Sequence, residues 1–366
     1  MTELRTSRVD VCPICESTSS ARFFVAPDYV CSVPGLFSYD RCNACGTVYQ
    51  NPQVIAEDLA QGYPEHYYTH TPGPRFPAVC RTGSVLKQWV RNAIVRHQRR
   101  QAQPTKAAIV GALLANSRRL RERAFYGLLD ELAPRASESA PALEIGCGSG
   151  QLLHLLSQNG WLAEGIEWDP AAAAIAQART GLPVAVGDFI SAKLPTHNYD
   201  LIVLVHVFEH LPRPQCALRR LAQLLRPGGR AVLICPNPRA ISAWLFGADW
   251  YPWEPPRHLV LAPARAVVEA GRRYGLRAHS WRSLERTVGL HVAWSRCRRL
   301  GLPWPPGQPG PFDFALTWFS RRLAPLGLSD EWLIAFERSD SAGPHLAASE
   351  APPANGEEVT TILRRP

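Results

Sequence analysis

The sequence has no long apolar run. No stretch of about 18 or more uncharged apolar residues occurs in its 366 residues, which excludes a membrane-crossing helix of ordinary length. An apolar leader is missing too. "MTELRTSRVDVC" carries acids and no hydrophobic core, so no signal peptide is expected and a cytoplasmic location follows. Lysine is scarce: three of the 40 basic residues are Lys, an arginine bias that reads as genome composition and carries no function. Internal repeats are absent.

What is present points elsewhere. Hydrophobic residues make up 46% of the chain, enough for a sizeable core and for two or three units. The net charge of +9 is local. Residues 81–123 hold eleven Lys or Arg and one acid, Glu122, a window of +10 that leaves −1 for all the rest. Ten cysteines include two C-x-x-C pairs, which in a reducing compartment read as metal ligands and not as disulfides.

The chain divides by composition. Residues 1–50 are short, Cys-bearing and turn-rich. Residues 51–135 form a Pro- and Tyr-rich linker followed by a helical segment over 84–132, broken near Pro104. Residues 136–338 alternate strand and helix, and residues 339–366 have the Pro, Ala, Glu and Ser bias of a disordered tail. The alternation predicts strands near 142–146, 162–167, 183–187, 199–205 and 229–235, with helices at about 150–158, 170–179 and 214–226. A helix near 263–274, a strand near 277–284, a Pro-rich loop over 302–312 and a last strand "EWLIAFER" at 331–338 complete the reading. "LIVLVHV" and "RAVLICP" are nearly all apolar, as in a parallel sheet covered on both faces, so the expected class is α/β and doubly wound.

One motif opens that region. "LEIGCGSG" follows an apolar strand and starts a helix, with Gly146, Gly148 and Gly150 spaced G-x-G-x-G around Cys147. Dinucleotide turns have a longer gap before the third glycine, which seats a pyrophosphate on the helix N-terminus. The shorter turn, preceded by Glu144, suits a ligand with no phosphate and a positively charged end. After the second strand comes "GIEWDP", placing Glu167 where an acid accepts from ribose hydroxyls, with Trp168 beside it. After the third comes "GDF", in which Asp188 accepts from an adenine amino group and Phe189 packs on the base.

These segments, with "YDLIVLVHVFEHL" and "LLRPGGRAVL", resemble in order and spacing the class I S-adenosylmethionine-dependent methyltransferases over roughly residues 140–285. The resemblance implies a Rossmann-like seven-stranded sheet whose last strand is antiparallel, and S-adenosylmethionine as cofactor. Glu144, Gly146, Cys147, Gly148 and Gly150 would line its methionine part, Glu167 and Trp168 its ribose side, Asp188 and Phe189 its adenine.

Cys12, Cys15, Cys42 and Cys45 form C-x2-C, 26 residues, C-x2-C. Two such turns close a tetrahedral thiolate site for a structural Zn²⁺ with no open position. "RCNACGTVYQNP" with "YPEHYY" resembles the N-terminal ribbon of a methyltransferase subgroup associated with polysaccharide or secondary-metabolite assembly.

A base for methyl transfer is expected at the carboxyl ends of strands four and five. "VHVFEHL" supplies His206, Glu209 and His210, and "FGADWYPWEPPRHLVL" supplies His258. Glu209 and His210 also read as a brace for the following helix. In ubiquinone-type O-methyltransferases a similar segment has Glu where His206 stands, and some use it with the E-H pair to hold a divalent ion, a pattern from which this chain departs. Trp250, Tyr251, Trp253, Arg257 and His258 together read as an acceptor wall.

In 84–100 an apolar face of Leu86, Trp89, Val90, Ala93 and Ile94 is flanked by Lys87, Arg91, Arg96 and Arg100. That suits an anionic membrane surface, an acidic glycan, a lipid-linked phosphate or RNA, and equally a helical lid with a solvated face. The favoured reading is a methyltransferase with a small-molecule or glycan acceptor, lipid-linked in one version, modified on oxygen or carbon. The alternatives are an RNA methyltransferase gripping through the ribbon and residues 81–123, and a non-catalytic zinc-ribbon interaction protein. The oligomeric state is not legible.

Overall fold

The computed structural model describes residues 4–63, 140–302 and 310–339. The basic segment 81–123, the helical reading of 84–132, the linker beyond Tyr63, residues 303–309 of the Pro-rich loop and the tail after Ser339 lie outside the described residues. In chain order the strands are β1 (Thr6–Ser7), β2 (Ser20–Pro27), β3 (Leu36–Cys42), β4 (Val48–Gln50), β5 (Gln53–Val54), β6 (Pro141–Ile145), β7 (Leu162–Glu167), β8 (Val184–Val186), β9 (Tyr199–Val205), β10 (Leu225–Pro236), β11 (Val260–Leu261), β12 (Leu276–Leu284) and β13 (Glu331–Arg338). The helices are α1 (Gln151–Gln158), α2 (Pro170–Thr180), α3 (Pro214–Leu224), α4 (Ile241–Phe246), α5 (Ala264–Arg272), α6 (Val288–Leu300) and α7 (Pro311–Leu323).

A seven-stranded sheet has the order β12-β13-β10-β9-β6-β7-β8. β6, β7 and β8 pair in parallel, while β13 runs antiparallel to both β10 and β12. This is the expected methyltransferase sheet, and "EWLIAFER" is its antiparallel strand.

Among the described residues, 140–203 form one compact unit and 4–63 with 204–339 form another. In the first, α1 buries Leu152, Leu153, Leu155 and Leu156. α2 starts at Asp169, whose carboxylate accepts from the N–H groups of Ala171 and Ala172, with Pro170 in the first turn and Gly181 as a left-handed C-cap.

In the second unit β10 is apolar and buried from Ala231 to Pro236, each such Val, Leu or Ile contributing about 1.5–3 kcal/mol. β10 begins earlier than its pattern suggests. Pro227 cannot continue α3, and the residue before it is pushed to extended backbone, so the helix stops at Leu224. Against β13 lies α5, where Gly271 is required: a Cβ there would meet Phe336 at 2.7 Å.

This unit also holds an antiparallel four-stranded sheet of order β11-β4-β3-β2. β11 comes from residues some two hundred positions after the other three. One apolar cluster joins Phe24, Phe37, Tyr39 and Val48 to Phe246, Trp250, Trp253, Leu261, Val288 and Val292. The cysteine-bearing strands therefore share a core with residues 240–292.

Candidate functional site

In the unit of residues 140–203 the glycine turn joins β6 to α1. Gly146, Gly148 and Gly150 have φ of 68°, 50° and 78°, a region open to glycine at little penalty. A Cβ on Gly150 would also sit 2.9 Å from Thr180 Cγ2, whereas Gly148 faces open space. The Gly148 N–H donates to Glu167 Oε2 at 2.7 Å, and Glu167 Oε1 accepts from Trp168 N–H at 2.9 Å and Asp169 N–H at 3.2 Å. Burial raises the Glu167 carboxyl above its usual range, and these three amides offset that only in part.

Glu144 is buried, and its Oε2 has no hydrogen-bond partner. Burial, then the charge of Glu167, push its carboxyl well above the usual range. A bare buried carboxylate oxygen is unfavourable by about 1–3 kcal/mol, and a cationic donor would satisfy it, so these residues fit the positively charged end of S-adenosylmethionine. Trp168 is exposed beside Glu167 and Cys147 is buried. Asp188 is exposed, its carboxylate accepting from Ile190 N–H at 3.2 Å and Ser191 Oγ–H at 3.1 Å, while Phe189 is buried beside it.

In the other unit Cys12, Cys15, Cys42 and Cys45 converge, with all four sulfurs within 4.8 Å of one another. Cys12 to Cys45 is 3.7 Å and Cys15 to Cys42 is 3.5 Å. Tetrahedral thiolates at a zinc bond length of about 2.3 Å stand about 3.8 Å apart, so the cluster has the size of such a site. Each pair lies on a tight turn, closed by Glu16 N–H to Cys12 O at 2.9 Å and Gly46 N–H to Cys42 O at 3.0 Å. Glu16 and Gly46 both adopt positive φ.

The same unit collects the predicted bases. His206 follows β9 at φ 55°, its N–H held by Ile234 O at 2.9 Å. Its Nδ1 lies 3.2 Å from Glu209 Oε1 and its Nε2 2.8 Å from Glu331 Oε1, which Arg286 Nη2 also reaches at 3.0 Å. Burial works against the charge on His206, but the two carboxylates outweigh it and raise its pKa to about 9. Glu209 and Glu331 are desolvated as well, yet the cations beside them hold both at about 2. His206 is therefore a clamped imidazolium at neutral pH. Where the ubiquinone-type pattern has a carboxylate, this chain has a cation already bonded to Glu209, which disfavours a second cation there.

His210 and His258 behave in the opposite way. Burial lowers both to about 4. His258 Nδ1 meets Pro252 O at 2.7 Å and His210 Nδ1 meets Arg257 O at 3.0 Å. A carbonyl only accepts, so each Nδ1 carries the proton and each Nε2 keeps its lone pair. His258 Nε2 is 3.9 Å from Glu254 Oε2, beyond hydrogen-bond reach. A Glu209 carboxylate oxygen and one imidazole nitrogen each of His210 and His258 lie within 4.8 Å of one another.

The acceptor-wall reading needs correction. Trp250 and Trp253 are fully buried in the core cluster, packed edge to face at 4.9 Å, and Tyr251 is buried against Trp294. Arg257 is buried too, with all five donors taken: Asp28 Oδ1 at 2.6 Å and Oδ2 at 2.9 Å, Glu254 Oε1 at 3.0 Å, Gly62 O at 3.0 Å and Pro255 O at 3.1 Å. These residues fasten the segment before His258 to the cysteine-bearing strands. Tyr63 was missed: its hydroxyl is 2.8 Å from His210 Nδ1. So were Glu331 and Arg286. Tyr63 opens "YPEHYY" and Glu331 opens "EWLIAFER", but neither pattern points to these contacts, and no motif marks Arg286.

Residues 117–280 match the family model described as a methyltransferase domain. The ubiquinone biosynthesis O-methyltransferase of Pseudomonas aeruginosa PAO1 is 29% identical over 130 residues, covering 33% of this chain and 55% of that protein. That of Saccharophagus degradans is 30% identical over 131 residues, covering 33% and 54%. The chain thus spans about half the length of the curated relatives it matches. Among solved structures, the geranyl diphosphate C-methyltransferase of Streptomyces coelicolor A3(2) is 16% identical, covers 68% of this chain and 98% of its own, and has a TM-score of 0.43. Family match, sheet order, glycine turn and paired acids agree, and the chain carries a class I S-adenosylmethionine-dependent methyltransferase domain.

Proposed function

We propose that the protein transfers a methyl group from S-adenosylmethionine to an oxygen or carbon of a small-molecule or glycan acceptor. The observation that carries this reading is the unpartnered, buried Glu144 oxygen behind a glycine turn held by Glu167. S-adenosylmethionine, when bound, supplies an electrophilic methyl on a sulfonium with a good leaving group. Glu144 would face its cationic end, Gly146, Gly148 and Gly150 would admit its methionine part, Glu167 would accept from ribose hydroxyls, and Asp188 would accept from the adenine amino group.

For a hydroxyl acceptor, the O–C bond forms as the C–S bond breaks, and the hydroxyl proton needs a base. His258 takes that role, with His210 as its neighbour: both are held neutral by burial and anchored through Nδ1. His206 serves instead as a fixed cation that orients Glu209. The four cysteines would hold a structural zinc, which would tie the turns around β3 together. The relatives matched in sequence are named as ubiquinone biosynthesis O-methyltransferases, which supports a small-molecule acceptor.

The test uses tritium-labelled S-adenosylmethionine with the purified protein and fractionated cell extract. Label in glycan, lipid or small-molecule fractions is expected. Label in RNA overturns the acceptor class, and failure to bind S-adenosylhomocysteine overturns the activity.

A further inference from the structure

Helix α7 is inside out. Its fully buried side chains are Asp313, Thr317 and Ser320, with Leu316 half-buried against the core cluster. Asp313 ties the helix to α6 by accepting from Arg296 Nε at 2.8 Å and Nη2 at 2.9 Å, and it also accepts from the Gly310 N–H at 2.8 Å. The outward side chains are Phe312, Phe314, Trp318 and Phe319, exposed by 50, 65, 58 and 47%. Residues 312, 315 and 319 and residues 314, 318 and 322 recur at helical spacing, so they make one continuous face. Trp244 on α4, which packs beside α7, is 79% exposed, and Leu326, just beyond the helix, is 70% exposed. A helix facing water carries its apolar stripe inward. Here tertiary packing turns that stripe out, as suits a helix whose outer face meets an apolar medium.

We propose that this face of α7, with Trp244 and Leu326, docks on an anionic lipid surface. Its charge decides between occupants. The one acid of α7, Asp313, is buried under Arg296. The outward side ends in Arg322, which lies over the Trp318 ring at 4.5 Å, while Arg321 next to it leans toward Glu285 at 3.8 Å. Tryptophan and phenylalanine rimmed by arginine match the apolar–polar boundary of a bilayer, and the arginine attracts anionic headgroups. A second copy of the chain would instead set like charges together.

The test is co-sedimentation of the full chain with vesicles of phosphatidylcholine plus phosphatidylglycerol, against phosphatidylcholine alone. Binding to the mixed vesicles is expected, weakening as salt is raised. The double variant Phe314→Ser/Trp318→Ser should bind at least about tenfold more weakly. Both side chains are exposed, so its circular dichroism and thermal midpoint should match the unsubstituted chain. Three results overturn the proposal. The unsubstituted chain does not bind; the variant binds equally well, which moves lipid contact elsewhere; or, without lipid, sedimentation velocity shows a dimer that the variant dissociates, which assigns the face to a second copy.

Discussion

The unit of residues 140–203 and the unit of 4–63 with 204–339 are built by different rules. In the first, each polar contact of the glycine turn spans a short stretch. Gly148 meets Glu167 nineteen positions on, and Glu167 meets its own two successors. In the second, Arg257 meets Asp28 across 229 positions, Tyr63 meets His210 across 147, and Arg286 meets Glu331 across 45. A site made of neighbours survives on local geometry. A site made of distant residues depends on everything that holds its parts in place. Damage to the cysteines should therefore spread, and damage to the glycine turn should stay local.

The sharpest way to break that contrast is Cys42→Ala. It removes one of four convergent sulfurs beneath the shared core, and the expected outcome is loss of bound zinc with a thermal midpoint lower by roughly 10 °C or more, read by metal analysis and calorimetry. A chain that keeps its midpoint with no metal would show that the cluster does not staple the fold.

Arg257→Met comes next. It leaves Asp28 and Glu254 without their buried cation, a loss of about 3–5 kcal/mol by denaturant titration.

His258→Ala should lower kcat by about a hundredfold or more while S-adenosylhomocysteine affinity stays unchanged. Unchanged turnover would remove His258 as the base. Glu167→Ala tests the opposite half: cofactor affinity should fall roughly a hundredfold, with a stability loss of about 1–3 kcal/mol as three amides lose their acceptor.

The smallest effect is in pH. His206 binds its proton more tightly folded, at about 9, than at its ordinary 6.5. Its contribution is complete below pH 6.5 and lost as pH rises through 9. His210 and His258 are held at about 4, so their neutral forms add stability above 6.5 that is lost as pH falls toward 4. The thermal midpoint should peak near pH 6.5, and His206→Gln should flatten the alkaline side only.

Much of the sheet was legible. β7, β9 and β13 occupy the residues that their apolar patterns marked, and β6 and β8 differ by a residue at their ends. α6 and α7 were not. "HVAWSRCRR" mixes its apolar and charged positions because one face meets the core and Arg296 reaches down to Asp313. In α7 only Leu316 packs an apolar side chain on the core cluster while the fully buried positions are polar, so a reading that looks for an apolar inner stripe misses it. The aromatics at 250–253 misled for the same kind of reason. They are rich enough to line a ligand site, and only the packing of Phe24 and Tyr39 against them shows that they are core.

The sequence by itself determined the glycine turn, the alternation of strand and helix that follows it and the cysteine set. In each, the chemistry lies within one motif or in pairs of identical residues at fixed spacing, so no long-range information is needed. Only the tertiary structure decided which histidine is charged and which is neutral. The ionisation of an imidazole depends on the carboxylates and carbonyls that packing places around it. Glu331 beside His206, and Pro252 O and Arg257 O beside His258 and His210, are brought there by the fold.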